Sequence, residues 1–269
     1  MSLGHGAKRA ARKAGNSQVL TNIARIGFAA SGLMHLLMGY IAVRIALHHG
    51  GESDQSGAFA QLTRLPGGPM VLWAAVLGMG ALGLWLLLQA SLGIGSSSKK
   101  RWARSLASAG KAAAYFALAW TALTFALHRP SSSTAATRNA SGTILSLPGG
   151  QALLAIVGMA TAGIGGYLVY KGVRRKFLDD IQLQGNRADP AVIALAMTGY
   201  IAKGIAIIAL GVLFIVAAIK VSPQDASGLD GALKSLAGLP YGQAILIAIG
   251  LGLMAYGLYS IIRARLARL

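Results

Sequence analysis

The sequence predicts an all-α, polytopic membrane protein: six transmembrane helices arranged as three two-helix repeats of one orientation, related by approximate three-fold symmetry. Composition, block length and a motif written three times carry this expectation. Of 269 residues, 55% are hydrophobic and 12% charged, whereas a soluble domain carries roughly 25% charged residues. Apolar blocks fall at 22–47, 69–93, 106–127, 151–171, 191–219 and 243–262. Each holds about 20 residues or more, enough to cross a hydrocarbon layer of about 30 Å. The chain has 36 glycines, a residue more frequent in membrane helices than in soluble ones.

The motif sets the period. Leu-Pro-Gly-Gly stands at 65–68 and 147–150, and Leu-Pro-Tyr-Gly at 239–242. Eighteen positions after each leucine comes a glycine, Gly83, Gly165 and Gly257, and two further on an aromatic, Trp85, Tyr167 and Tyr259. The first helix of each unit opens with Gly27, Gly110 or Gly199, and twelve later a small residue recurs, Gly39, Ala122 and Gly211. The unit is helix, outer loop, Leu-Pro-x-Gly, helix. This divides the chain into a basic tail (1–20) and repeats at 21–98, 99–186 and 187–269.

The motif reads as a corner re-entering the membrane. Pro66, Pro148 and Pro240 fix φ and lack an N–H, which suits a helix entry. Gly67, Gly149 and Gly242 relieve crowding at the bend. Short amphipathic runs precede two of the corners. They place Phe59, Leu62 and Leu65, or Leu233, Leu236 and Leu239, on one side, facing lipid or the bundle. Small residues four apart, such as Ala74 with Gly78, Ala162 with Gly166 and Ala248 with Gly252, predict close helix seams.

From about 20 to 265 this pattern resembles the bacterial membrane family known as domain of unknown function 1206, with its tandem two-helix units, glycine-opened first helix and Pro-Gly re-entry. The second copy departs most, reading GKAAAY (110–115) in place of a Gly-aromatic opening. The resemblance implies an integral bacterial membrane protein. It brings no catalytic residue.

The formal charge of +18 reads as a topology signal. Basic residues cluster before the first block, between the second and third, between the fourth and fifth, and after the sixth. The positive-inside rule then places both termini in the cytoplasm of a bacterial cell, the chain crossing the cytoplasmic membrane several times. The same charge favours anionic lipid head groups, with Arg174, Arg175 and Lys176 the strongest candidates. No nucleic-acid-reading motif accompanies it.

Candidates for chemistry are few. The chain has no cysteine, which excludes disulfides and thiolate sites. His35 lies mid-span in one repeat only, its counterparts being Leu118 and Ile207. It is either a ligand or proton-relay contact or a neutral imidazole bonded to a neighbouring helix carbonyl. Arg44 and Lys203 sit within spans near their ends, where each either snorkels to the surface or attracts an anionic head group. His48, His49 and His128 stand at outer helix ends, without the cysteine or carboxylate spacing of a metal site. Haem needs a second histidine at the depth of His35, and none is present. All seven carboxylates are expected in loops, against a cation-coupled pump. Trp85, Tyr167 and Tyr259 form either an axial ring or inner-leaflet anchors.

The expectation is a non-enzymatic protein without cofactor or metal: a scaffold or accessory subunit binding anionic lipid or a membrane-protein partner. The alternative is a small permease or channel with an axial path between the repeats.

Overall fold

A computed structural model describes residues 18–64, 66–92, 101–129, 131–180 and 189–266. The expected basic tail and the basic loops at 93–100 and 181–188 thus fall largely outside the described residues. Among these the chain forms nine α-helices and no strand. Repeat one supplies α1 (Gln18–Ala46), α2 (Gln55–Thr63) and α3 (Gly68–Leu92). Repeat two supplies α4 (Arg101–Ala126), α5 (Ser133–Leu145) and α6 (Gly150–Val173). Repeat three supplies α7 (Pro190–Lys220), α8 (Gly228–Ala237) and α9 (Gly242–Leu266). Each repeat is therefore long, short, long. By length and composition, α6, α7, Phe28–Ala46 of α1 and Gly242–Ala264 of α9 can cross a membrane, while α3 carries a shorter apolar stretch, Gly68–Leu84.

Every first long helix stops in the same way. His48, His128 and Val221 take left-handed backbone at φ 63°, 56° and 50°. In each copy two N–H groups turn back onto the last carbonyls: His48 to Ile45 and His49 to Arg44, His128 to Phe125 and Arg129 to Thr124, Val221 to Ala218 and Ser222 to Ala217. This is a Schellman end, which satisfies otherwise orphaned carbonyls. Histidine is enriched in left-handed backbone relative to most residues. Two of the outer histidines are thus accounted for as helix ends.

The Leu-Pro corners join each short helix to the following long one. Gly67, Gly149 and, in the third copy, Tyr241 are left-handed, at φ 78°, 75° and 61°. The next residue is glycine each time because a Cβ there would strike a carbonyl: Leu62 O for Gly68, Ile144 O for Gly150, Ala237 O for Gly242. Crowding at the motif's fourth position, more than backbone freedom at its third, explains the repetition.

The long helices pair across repeat boundaries: α3 with α4, α6 with α7, and α9 with α1. The last pairing joins the third repeat to the first. Two of the seams are made of glycine. A Cβ on Gly257 would stand 2.6 Å from Gly32 O, and one on Gly250 would stand 2.8 Å from Gly39 O. In α6 and α7 the corresponding approaches are 2.8 Å from Gly158 to Gly211 O and 2.7 Å from Gly165 to Gly204 O. In the third seam Gly83 meets the Phe116 ring at 3.2 Å. The glycines of a seam lie seven apart, two helical turns.

This corrects the spacing-four expectation. Gly78 and Gly166 have no neighbour within 4 Å of a built Cβ, and Ala74 is exposed. In the second and third copies one residue of the pair does face a helix: the Ala162 backbone lies 2.5 Å from a Cβ built on Gly211 of α7, and Gly252 lies against Ala202 between α9 and α7.

Within repeats, α7 packs on α9 and α1 touches α3, whereas α4 and α6 barely approach each other. The described bundle is therefore a ring with a gap between α4 and α6.

The short helices gather at one end of the bundle and bury their apolar sides inward. Phe59 and Leu62 of α2 and Leu233 of α8 are buried, while Leu239 is half exposed. The amphipathic runs thus face the bundle. Repeat two has a short helix as well, where the sequence suggested only a connecting loop; STAATRNASGTIL carries no apolar stripe. Side chains tie the three caps together. Ser53 N–H donates to Asp230 Oδ1 at 2.7 Å, Lys234 donates to Asp230 Oδ2 at 2.7 Å, and the Ser56 and Ser133 hydroxyls are 2.6 Å apart. Asp230 is therefore a buried helical residue, not a loop carboxylate.

Candidate functional site: the axial cavity

A cavity of about 520 Å³ lies along the ring axis, and all nine helices line it. The size falls within the roughly 300–1,000 Å³ typical of small-molecule sites. Its lining follows the repeat. Ser31, Ala114 and Lys203 occupy one equivalent position, His35, Leu118 and Ile207 the next turn, and Met79, Thr161 and Leu253 a third on the second long helices. Each repeat thus turns the same helix faces inward. Most of these faces are apolar.

Lys203 and His35 stand close together in this lining, while Gln55, Ser133, Thr137 and Thr161 add polar groups elsewhere. Lys203 lies roughly 20 Å along α7 from Pro190 at 1.5 Å per residue, so it is no end-of-helix residue snorkelling to a surface. Its Nζ stands 4.2 Å from the centre of the Tyr256 ring. Among the described residues no carboxylate forms an ion pair with it. A lysine at the centre of a membrane helix costs about 2.5–3.5 kcal/mol, and a desolvated cation–π contact returns about 2 kcal/mol or less. The cavity therefore holds a partly buried cation beside Tyr256, without a carboxylate partner among the described residues.

His35 flanks the same tyrosine, its ring 4.7 Å from that of Tyr256. His35 Nδ1 lies 2.7 Å from Ser31 O, one turn back on its own helix. A carbonyl only accepts, so Nδ1 carries the proton. Nε2 has no hydrogen-bond partner among the described residues. The histidine's carbonyl partner is in its own helix, not in a neighbouring one.

Below this polar pair, at the end away from the short helices, lies an aromatic cluster. Phe177 stacks on Tyr200 at 5.7 Å, and Tyr200 meets Tyr256 edge-on at 5.2 Å and Tyr259 at 5.9 Å. At the other end Gln55, Ser133, Thr137, Gly228 and Leu229 of the short helices line the cavity. Laterally it reaches the gap between α4 and α6, where Ala114 and Ile164 are exposed and also line it.

The remaining candidates lie elsewhere. Arg44 is at the short-helix end of α1, its guanidinium 5.9 Å from the Tyr40 ring. Arg174, Arg175 and Lys176 are exposed just beyond α6, with Lys176 Nζ 4.8 Å from the Tyr170 ring. Tyr167 and Tyr259, though equivalent in sequence, part company: Tyr167 is 57% exposed and Tyr259 1%. They form no axial ring, because Tyr259 enters a cluster with Tyr200 of α7 and with Phe177 just after α6, whereas Tyr167 lies on the surface. The Trp85 side chain lies outside the described residues. Pro66, Gly67, Pro148, Gly149, Pro240 and Gly242 all stand at the corners. Among the described residues no group of histidines and carboxylates is arranged to hold a metal ion.

Sequence reasoning missed Tyr256, which joins His35 to Lys203. Its signal was present in the repeat alignment, where Tyr256 corresponds to Leu82 and Ile164, both lining the cavity.

Long apolar helices, tandem two-helix repeats and a mostly apolar axial cavity define the class: a helical membrane protein assembled from internal repeats. The sequence matches the Domain of Unknown Function DUF1206 three times, over residues 26–93, 106–175 and 198–267, and the chain belongs to that family. It is also similar to an uncharacterized protein of Bacillus subtilis, YxxB, with 31% identity over 250 residues, covering 89% of this chain and 88% of that protein. No solved structure matches.

Proposed function

We propose that the protein is a non-catalytic membrane protein that binds a lipid-like molecule inside its repeat bundle and serves as a scaffold or accessory subunit. The axial cavity carries this reading. Met, Leu, Ile and Phe side chains supply about half of its lining, and it lies between the aromatic cluster and the short-helix caps. Its approach between α4 and α6, at exposed Ala114 and Ile164, faces the surface where lipid would lie. Such a chamber suits a molecule arriving from the bilayer better than a solute crossing from water to water.

In this reading all six long helices cross the bacterial cytoplasmic membrane, with the short helices outside and both termini in the cytoplasm, as the basic segments favour. Arg174, Arg175 and Lys176 then meet the anionic inner leaflet. Native mass spectrometry of protein extracted gently from its own membrane tests the proposal. A retained lipid, or a stoichiometric partner with lipid, supports it. Bare protein under conditions that preserve other lipid complexes contradicts it.

A permease is the second reading, favoured by the position of the cavity on the axis of three repeats. Solute flux into proteoliposomes above that of empty vesicles would support it over the first.

A further inference from the structure

We infer that the axial cavity takes an anionic amphiphile, its head group between Lys203 and His35 and one acyl chain running toward α2 and α5, admitted sideways through the gap between α4 and α6. This rests on the lipid-binding reading above and specifies its ligand.

The charge comes first. Lys203 lines the cavity with its Nζ 4.2 Å from the centre of the Tyr256 ring and with no carboxylate partner among the described residues. A carboxylate or phosphate oxygen is the group that completes its environment. Across Tyr256, His35 has Nδ1–H committed to Ser31 O at 2.7 Å, so Nε2 is the ring atom left for a head group, accepting a hydrogen bond when the imidazole is neutral. A head group with an anionic oxygen and a hydroxyl, or an acidic proton, satisfies both. A purely apolar ligand satisfies neither, and a cationic one is repelled by Lys203.

The shape comes next. From Lys203 to Phe214 the α7 wall of the cavity extends about 16 Å at 1.5 Å per residue, ending at Gly228 and Leu229 under the caps. Leu118, Ile207, Leu210 and Met79 along this length offer no hydrogen bond from their side chains. That is a bed for one hydrocarbon chain, and a second chain stays outside the gap.

The entrance is the third observation. Two of the three repeats pack their own long helices together, and in the second the described helices barely approach each other. Ile164, exposed at the gap, also lines the cavity. An amphiphile entering there from the inner leaflet brings its head to Lys203 and its chain toward the short helices.

The test titrates the full chain in neutral detergent with palmitic acid and with hexadecanol, which share a chain and differ in head charge, and reads occupancy by native mass spectrometry. Wild type is expected to bind the acid about tenfold or more tighter than the alcohol. Lys203→Met should abolish that preference while leaving the alcohol's affinity unchanged, and Lys203→Arg should retain it. Lys203→Gln repeats the measurement should the Met variant fail to fold. Ile164→Trp should hinder loading of both probes.

Equal affinity for acid and alcohol in wild type, or an unchanged preference in the Met and Gln variants, overturns the placement of the head while leaving lipid binding intact. Binding of neither probe, with no lipid retained from the native membrane, removes the lipid-binding reading itself. Displacement of the acid by phosphatidylglycerol identifies a bilayer phospholipid as the source, and no displacement identifies a free fatty acid. Both support the site.

Discussion

Adding a single methyl group to different glycines should move stability in opposite directions. Gly257→Ala places a Cβ 2.6 Å from Gly32 O and 2.8 Å from Leu36 N. Both are backbone atoms, so relief requires α1 and α9 to separate. Overpacking of this kind costs about 1–3 kcal/mol, with the upper part applying where backbone must yield. Alanine's helix propensity returns about 1 kcal/mol, leaving a net loss of about 1–2 kcal/mol. Gly166→Ala has no atom within 4 Å of the new carbon, so only the propensity gain remains, up to about 1 kcal/mol of stabilisation. Gly83→Ala meets only the Phe116 ring, at 3.2 Å, and a side chain can yield, so its effect should lie between the two. Unfolding in dodecyl sulfate followed by tryptophan fluorescence reads all three. Equal shifts for Gly257→Ala and Gly166→Ala would refute the seam as the reason for these glycines.

Three further expectations follow from the caps, the aromatic cluster and the topology. Asp54 caps α2 through Gly57 N–H at 3.0 Å, yet its Oδ2 is buried without a partner among the described residues. Burial first, and the nearby Glu52 and Asp230 charges after it, push its carboxyl up to about 6, against the pull of Gly57 N–H. The fold therefore holds this proton more tightly than the unfolded chain does, so stability falls as pH rises from about 4 to about 6, with the cost fully present above that range. Asp54→Asn keeps a capping oxygen without the charge and should stabilise by on the order of 1–3 kcal/mol at pH 7, with the gain shrinking toward pH 4; a pH-independent difference contradicts the assignment. Phe177→Ala, at a fully buried ring stacked on Tyr200, should cost about 3–5 kcal/mol in the same unfolding assay. The chain has no cysteine, so single cysteines report sidedness: Gly50→Cys should react with an impermeant maleimide in intact cells, and Lys176→Cys only after permeabilisation. The reverse pattern would invert the proposed orientation.

The architecture was largely legible from the sequence, and its symmetry more so than its packing. Repeating Gly83, Gly165 and Gly257 marked one face of every second long helix, and that face makes the inter-repeat seams. Which helix it meets could not be read, because a glycine face names no partner; small residues at spacing four were an equally good candidate, and Ala74, Gly78 and Gly166 among them face outward. The Leu-Pro corners were readable because backbone geometry is local. Helix α5 was not, since its residues carry no apolar period and it is held by Ser56 and by contacts from repeat three. His35 and Lys203 stood out as ionisable residues in apolar spans. Their convergence on Tyr256 depends on how three separate helices, α1, α7 and α9, turn about the axis. The contrast between Tyr167 and Tyr259 has the same origin, because equivalent positions receive different neighbours once Phe177 packs in only one copy.

The most direct test of a lipid-holding axial chamber is an electron cryomicroscopy map of the protein in nanodiscs made from its native lipids. The account predicts an elongated density entering between α4 and α6, with its broader end beside Lys203 Nζ and its tail under the short helices. A cavity occupied only by discrete water-sized peaks, continuous with solvent at both ends, would contradict it and turn the interpretation to a solute path.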